Sequence, residues 1–159
     1  MVQAESVAWP APSALHHEFR QIETDLESAT QVPGRLGSSA RHLAGLLETH
    51  FARQEALVLP PLGLLLPLSR GALSREMAAM LPLSDRLRRE LPRLLDEHLT
   101  IARAFDEFTV LARLASRPEL ARLSRKFGTY ALLREQVVYP AALVAGDSVR
   151  FHLEREPGR

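Results

Sequence analysis

Apolar side chains recur three or four residues apart along most of this chain, the spacing that keeps one face of a helix dry. In the first such stretch the stripe is Leu15, Phe19, Ile22 and Leu26. It predicts a helix starting near Pro12 or Ser13, where proline suits a first turn, and ending before Pro33-Gly34. A second helix follows Gly37, with Ser38 or Ser39 as candidate cap, and runs to about Leu59, where Pro60-Pro61 stop it. At about 100° per residue it carries Leu43, Leu46, Leu47, His50, Gln54, Leu57 and Val58 on one side and turns Arg53 and Glu55 away. Pro67, Gly71 and Pro82 interrupt the stretch from Gly63 to Leu83, in which Ser74 is placed to cap a short helix through Met80.

A third long helix is predicted from Ser84 or Leu91 to about Ala115, with Leu91, Leu94, His98, Ile101, Phe105 and Phe108 on one face. Pro92 kinks it or marks its first turn. The fourth begins at Pro118, turns Leu120, Leu123, Phe127, Tyr130, Arg134 and Val137 inward, and ends at Pro140. One more short helix is expected from Ala141 to about Glu154. No segment alternates like a strand, so the pattern predicts an all-α chain, an up-down four-helix bundle. Residues 1–11 read as a loose lead-in, 12–145 as the bundle and 146–159 as a tail.

Two stretches repeat one pattern without a gap. ETHFARQEALVLP, Glu48 to Pro60, superposes on GTYALLREQVVYP, Gly128 to Pro140. His50 then matches Tyr130, Gln54 matches Arg134, Glu55 matches Glu135 and Pro60 matches Pro140. The chain reads as a doubled helix pair whose halves differ at the polar positions of the core.

Composition narrows the field. A chain of 159 residues with 46% hydrophobic content is expected to form one domain with a sizeable core. Its net charge of +1, from 20 basic and 19 acidic residues, gives no overall field for nucleic acid or an anionic membrane. The basic runs RLRRELPRL and RLSRK read as solvated helix faces. Without cysteine, any metal must rely on histidine, carboxylate, amide or phenolate. The first residues lack a basic start and a long apolar run, so no signal peptide is read, and a cytoplasmic protein is expected. The most apolar run, Leu57 to Leu68, carries three prolines and a glycine. It is too short and too broken to span a membrane, and a buried corner or a homodimer patch is expected instead.

Each long helix places polar side chains among its leucines: His16 or His17 on the first, His50 and Gln54 on the second, His98 on the third, Tyr130 and Arg134 on the fourth. Bundles build metal and ligand sites this way. His16 is preferred because Phe19 and Leu26 follow it at the intervals at which Ile101 and Phe108 follow His98. His17 falls on nearly the opposite side of its helix and stays in reserve.

The HFxxxE…P block at His50 to Pro60, Glu97-His98, and REQVVYP before Ala141 together resemble the hemerythrin-like (HHE cation-binding) family, over roughly Leu15 to Leu143. The resemblance implies an up-down bundle holding two non-haem irons, one histidine from each helix and bridging carboxylates from helices two and four. Oxygen binding, oxygen or iron sensing and iron handling come with it. By that resemblance His16, His50 and His98 are ligands of helices one to three. Gln54 stands where the second-helix carboxylate belongs, Tyr130 where the fourth histidine belongs and Arg134 where the other carboxylate belongs. Glu55 and Glu135 come one residue too late, facing solvent or a helix neighbour.

No ordinary di-iron centre or reversible oxygen carriage is therefore expected, since Arg134 stays charged and repels a second cation. The expected function is metal or small-ligand binding or sensing. At most one iron or zinc is expected, on His16, His50 and His98 with Tyr130 as phenolate. Alternatively, Gln54, Tyr130 and Arg134 line a pocket for an anionic or carbonyl-bearing ligand. Haem on His50 or His98 is a variant, as is an enzyme using a histidine base and Arg134. If side chains fill the cavity, Arg134 is expected to pair with an acid such as Glu18, Glu23, Asp106 or Glu135, leaving a scaffold or interaction module.

Overall fold

The computed structural model describes residues 9–155, which are helical nearly throughout and contain no strand. The first eight residues of the predicted lead-in lie outside the described range. In chain order the elements are α1 (Ser13–Thr30), α2 (Arg35–Leu57), the short α3 (Leu59–Leu62) and α4 (Leu65–Ser69), and a 3₁₀ turn (Arg75–Met80). Then come α5 (Leu81–Leu114), the short α6 (Pro118–Ala121), α7 (Leu123–Leu133), a π-helical turn (Arg134–Val138) and α8 (Tyr139–Arg155).

The turn between α1 and α2 depends on glycine twice. Gly34 has φ 81°, the left-handed region in which a Cβ is strained. At Gly37 a Cβ would fall 1.7 Å from the Val32 carbonyl oxygen, so the loop folds directly onto the first turn of α2. Predicted boundaries move: α2 starts at Arg35, before Gly37, with Gly34 in the cap position and no side-chain cap from Ser38 or Ser39. α5 starts at Leu81 rather than at Ser84 or Leu91, so Pro92 lies inside the helix rather than in its first turn; it is exposed and leaves one helical hydrogen bond unmade.

The larger correction concerns Pro140. The predicted fourth helix does not end there. The Tyr139 amide bonds back five residues to the Arg134 carbonyl, and this wider turn carries the helix past a residue without an N–H. The same extra residue shifts the inward face. Val137, predicted inward, is 55% exposed, while Val138 and Tyr139 are buried.

α2 packs against α1 and α5, α5 against α7 and α8, and α7 closes back on α1. Phe19, Ile22, Leu26, Leu43, Leu47, Leu94, Ile101, Phe105, Phe108 and Phe127 fill the space between them. A smaller cluster of Leu64, Met77, Ala145 and Val149, with Trp9 packed against it, closes one end. Most of the Leu57 to Leu68 run is spent inside the chain: Leu57, Val58, Leu59, Leu62 and Leu64 are buried, and Leu66 stands outward. Among the described residues no helix is long and apolar enough to cross a membrane.

Candidate functional site

The polar positions predicted on α2, α5 and α7 meet in one layer. His50, Gln54, His98 and Arg134 are all buried, as is Tyr130. A further residue joins them that periodicity assigned no role: Tyr139, brought inward by the π turn.

The hydrogen bonds form one self-consistent set that runs outward from Gln54 in two directions. His50 Nδ1–H donates to Glu97 Oε2 at 2.8 Å, leaving Nε2 as an acceptor that faces the Gln54 amide nitrogen at 2.5 Å. The other amide hydrogen of Gln54 goes to the Tyr139 oxygen at 2.8 Å. Tyr139 donates in turn to His98 Nε2 at 3.1 Å, and His98 Nδ1–H donates to Glu135 Oε1 at 2.7 Å. Tyr130 donates to Gln54 Oε1 at 2.9 Å. Both imidazoles thus have a carboxylate on Nδ1 and an inward-facing Nε2. Glu97 is held from outside by Arg53, 2.9 Å away, so Arg53 is an ion-pair partner rather than a side chain turned to solvent.

Burial keeps the imidazoles and phenols of the layer in their neutral forms. Burial pushes His50 down to about 4 and outweighs the opposing hydrogen bond from Glu97. His98 is lowered for the same reason. Burial raises Tyr130 and Tyr139 well above the ordinary phenol range, while the nearby Arg134 charge acts the other way and favours their phenolates.

Arg134 occupies the side of the layer next to α1. One terminal nitrogen bonds Glu18 Oε2 at 2.8 Å and the Leu15 carbonyl at 3.2 Å. The guanidinium lies over the rings of Phe19 and Tyr130, with its carbon 4.9 and 4.7 Å from their centres. Nε and the other terminal nitrogen are buried without a partner. Of the acids predicted for this arginine, Glu18 is the one it takes.

His16 does not reach the layer. It is half-exposed on α1, 3.5 Å from Glu55. Phe19 and the Arg134 guanidinium fill the space that a first-helix ligand would need. His17 is exposed on the rim of a crevice of about 360 Å³ between α1 and α7, whose floor includes Ile22, Tyr130 and Leu133. Glu135, expected to face solvent or a helix neighbour, fixes His98, and Glu97 does the same for His50.

A pair of metal ions does not fit these residues: no carboxylate stands between the imidazoles, and Glu97 and Glu135 are engaged behind them. A porphyrin does not fit between the two histidines either, since their ring centres are 4.8 Å apart. Among the described residues no group of three or more His, Cys, Asp or Glu is placed to hold a metal ion. A single ion would therefore take its remaining donors from tyrosine and glutamine oxygens. No family model matches this chain, and no curated protein or solved structure matches it.

Proposed function

We propose that the chain is an up-down four-helix bundle of the hemerythrin-like kind that has lost the dinuclear centre and binds one metal ion in its polar layer, in sensing or metal handling rather than oxygen carriage. The observation that carries this is the pair of buried, neutral imidazoles. Each is oriented by a carboxylate on Nδ1; His50 turns Nε2 to Gln54 and His98 turns Nε2 to Tyr139, and Gln54 donates to Tyr139. Carboxylate-backed imidazole is the usual arrangement of a histidine ligand, because the outer hydrogen bond fixes the tautomer and raises the basicity of the inner nitrogen. Glu97 and Glu135 also lend negative charge that the inner donors lack.

His50 and His98 would hold the ion, which would supply Lewis-acid or redox chemistry at that point. Tyr130 and Gln54 stand beside them, and Arg134 excludes a second cation by its charge. His16 has no part in this version of the site. Elemental analysis of the purified chain, repeated on His50→Gln and His98→Gln variants, tests the reading. One ion per chain, lost in both variants, is the expected result; an ion retained in both would place it elsewhere.

A second reading is a metal-free scaffold. It is favoured by the closure of the network, in which both amide hydrogens of Gln54 and both tyrosine hydroxyls already have partners. Under it, neither added metal nor chelator changes the thermal midpoint.

A further inference from the structure

The crevice between α1 and α7, about 360 Å³, lies at the small end of the range for ligand pockets. Ile22, Tyr130 and Leu133 give it an apolar floor, and Glu18 stands in its wall. That side chain is 42% exposed, while the Arg134 guanidinium it holds is fully buried. The ion pair therefore bridges the wall, with its acid on the crevice side and its cation one side chain behind. Tyr130 spans the same boundary: it lines the crevice, and its ring centre is 4.7 Å from the guanidinium carbon.

Arg134 is poorly satisfied for a buried cation. One terminal nitrogen serves both Glu18 and the Leu15 carbonyl. Nε and the other terminal nitrogen, which carry three of the five N–H groups of a guanidinium, have no partner. Glu18 approaches with a single oxygen, whereas guanidinium and carboxylate pair best through two parallel bonds. A carboxylate not tied to α1 can take such a two-bond edge. Exchanging one carboxylate for the other keeps the buried charge compensated, and Glu18, already half-exposed, returns to water.

The walls narrow the chemistry of the occupant. One buried cation balances one negative charge, and a phosphate dianion would leave its second charge against Ile22 and Leu133. An apolar tail covers that floor instead. Lys126 at the mouth is paired with Asp25, so the entrance itself carries little net charge.

We propose that the crevice between α1 and α7 binds a small monocarboxylate with an apolar tail, whose head group replaces Glu18 on Arg134. Glu18 is then a built-in competitor that compensates the arginine while the crevice is empty. This site is separate from the histidines and does not depend on whether the layer holds a metal ion.

The test is calorimetric titration of the full chain, freed of metal by a chelator, with octanoate, octan-1-ol and inorganic phosphate. One octanoate per chain is expected, with octan-1-ol at least about ten-fold weaker and no phosphate bound. Glu18→Gln should tighten octanoate by about ten-fold, because the competing carboxylate is gone. Arg134→Met should abolish saturable binding, with circular dichroism checking that the helices persist. Thr129→Trp fills the crevice from an exposed position and leaves the ion pair in place, so it should weaken octanoate by at least about ten-fold whether or not the arginine variant folds. Equal binding of octanoate and octan-1-ol overturns the proposal, as does binding untouched by Thr129→Trp. Octanoate binding that is unchanged or weaker in Glu18→Gln overturns it too, and so does the absence of binding to both the parent and that variant.

Discussion

The segments ending at Pro60 and Pro140 align residue for residue, yet the chain handles their prolines differently. α2 stops at Leu57 and a short helix restarts at Leu59, whereas the second segment widens by one residue and continues to Arg155. In the first case the chain must turn a corner; in the second α8 must lie along α5. A proline removes one donor and blocks one approach. Whether the helix then breaks or bulges depends on where the following residues can be buried. The choice decides the chemistry as well, because Leu59 and Tyr139 are equivalent and both buried, but only one brings a hydroxyl into the core.

The largest expected contrast is at another equivalent pair. Leu57 is fully buried and Val137 is 55% exposed, so Leu57→Ala should cost about 2–5 kcal/mol and Val137→Ala less than about 0.5 kcal/mol in denaturant unfolding. Similar costs at the two positions would mean that the inward face does not shift at the π turn. Deleting Val137 sharpens the point. It restores a four-residue interval between Arg134 and the tyrosine, so the downstream face stays in register, but it returns the proline to an ordinary helix interior. A loss of about 3 kcal/mol is expected, largely recovered when Pro140→Ala is added; no recovery would show that the π turn does not serve the proline.

Acid should separate the two segments too, since the first contributes His50 where the second contributes Tyr130. The unfolded histidine takes up its proton near pH 6.5 and the folded one near 4, so the unfolded state binds more protons between those values. Stability is then fully present above about pH 6.5 and falls by about 3 kcal/mol toward pH 4 for His50 alone. His98 acts in the same direction. Urea midpoints across that range measure the loss, and an unchanged slope in His50→Gln would remove His50 from the account.

The smallest of these effects is Tyr139→Phe, which leaves a Gln54 hydrogen and His98 Nε2 without their partner in the core. It should cost about 1–3 kcal/mol by thermal unfolding without metal. Leu59→Met, the equivalent volume-conserving change in the first segment, should cost less than about 1.5 kcal/mol.

Helical periodicity made His50, Gln54, His98, Tyr130 and Arg134 legible as inward residues, and all five are buried together. It failed at Tyr139, because a constant turn per residue cannot register a one-residue widening. The carboxylates behind the histidines were hidden for another reason. Glu97 and Glu135 sit at partly open positions, and what matters is the neighbouring helix that each one reaches. His16 was drawn to the core by its spacing, which carries no information that the Arg134 guanidinium from the π turn would fill the space first.

At the far end of the molecule, a Cβ on Gly63 would fall 2.1 Å from the Trp9 carbonyl oxygen, so the backbone before α1 lies directly on the corner after α3. That residue is the chain's single tryptophan, and its two tyrosines are both in the polar layer. The protein therefore carries aromatic reporters at two separate places. Tryptophan fluorescence follows the docking of the end cluster, and tyrosine absorbance follows the hydration of the layer. A melt read at both would reveal whether the corner loosens before the layer opens.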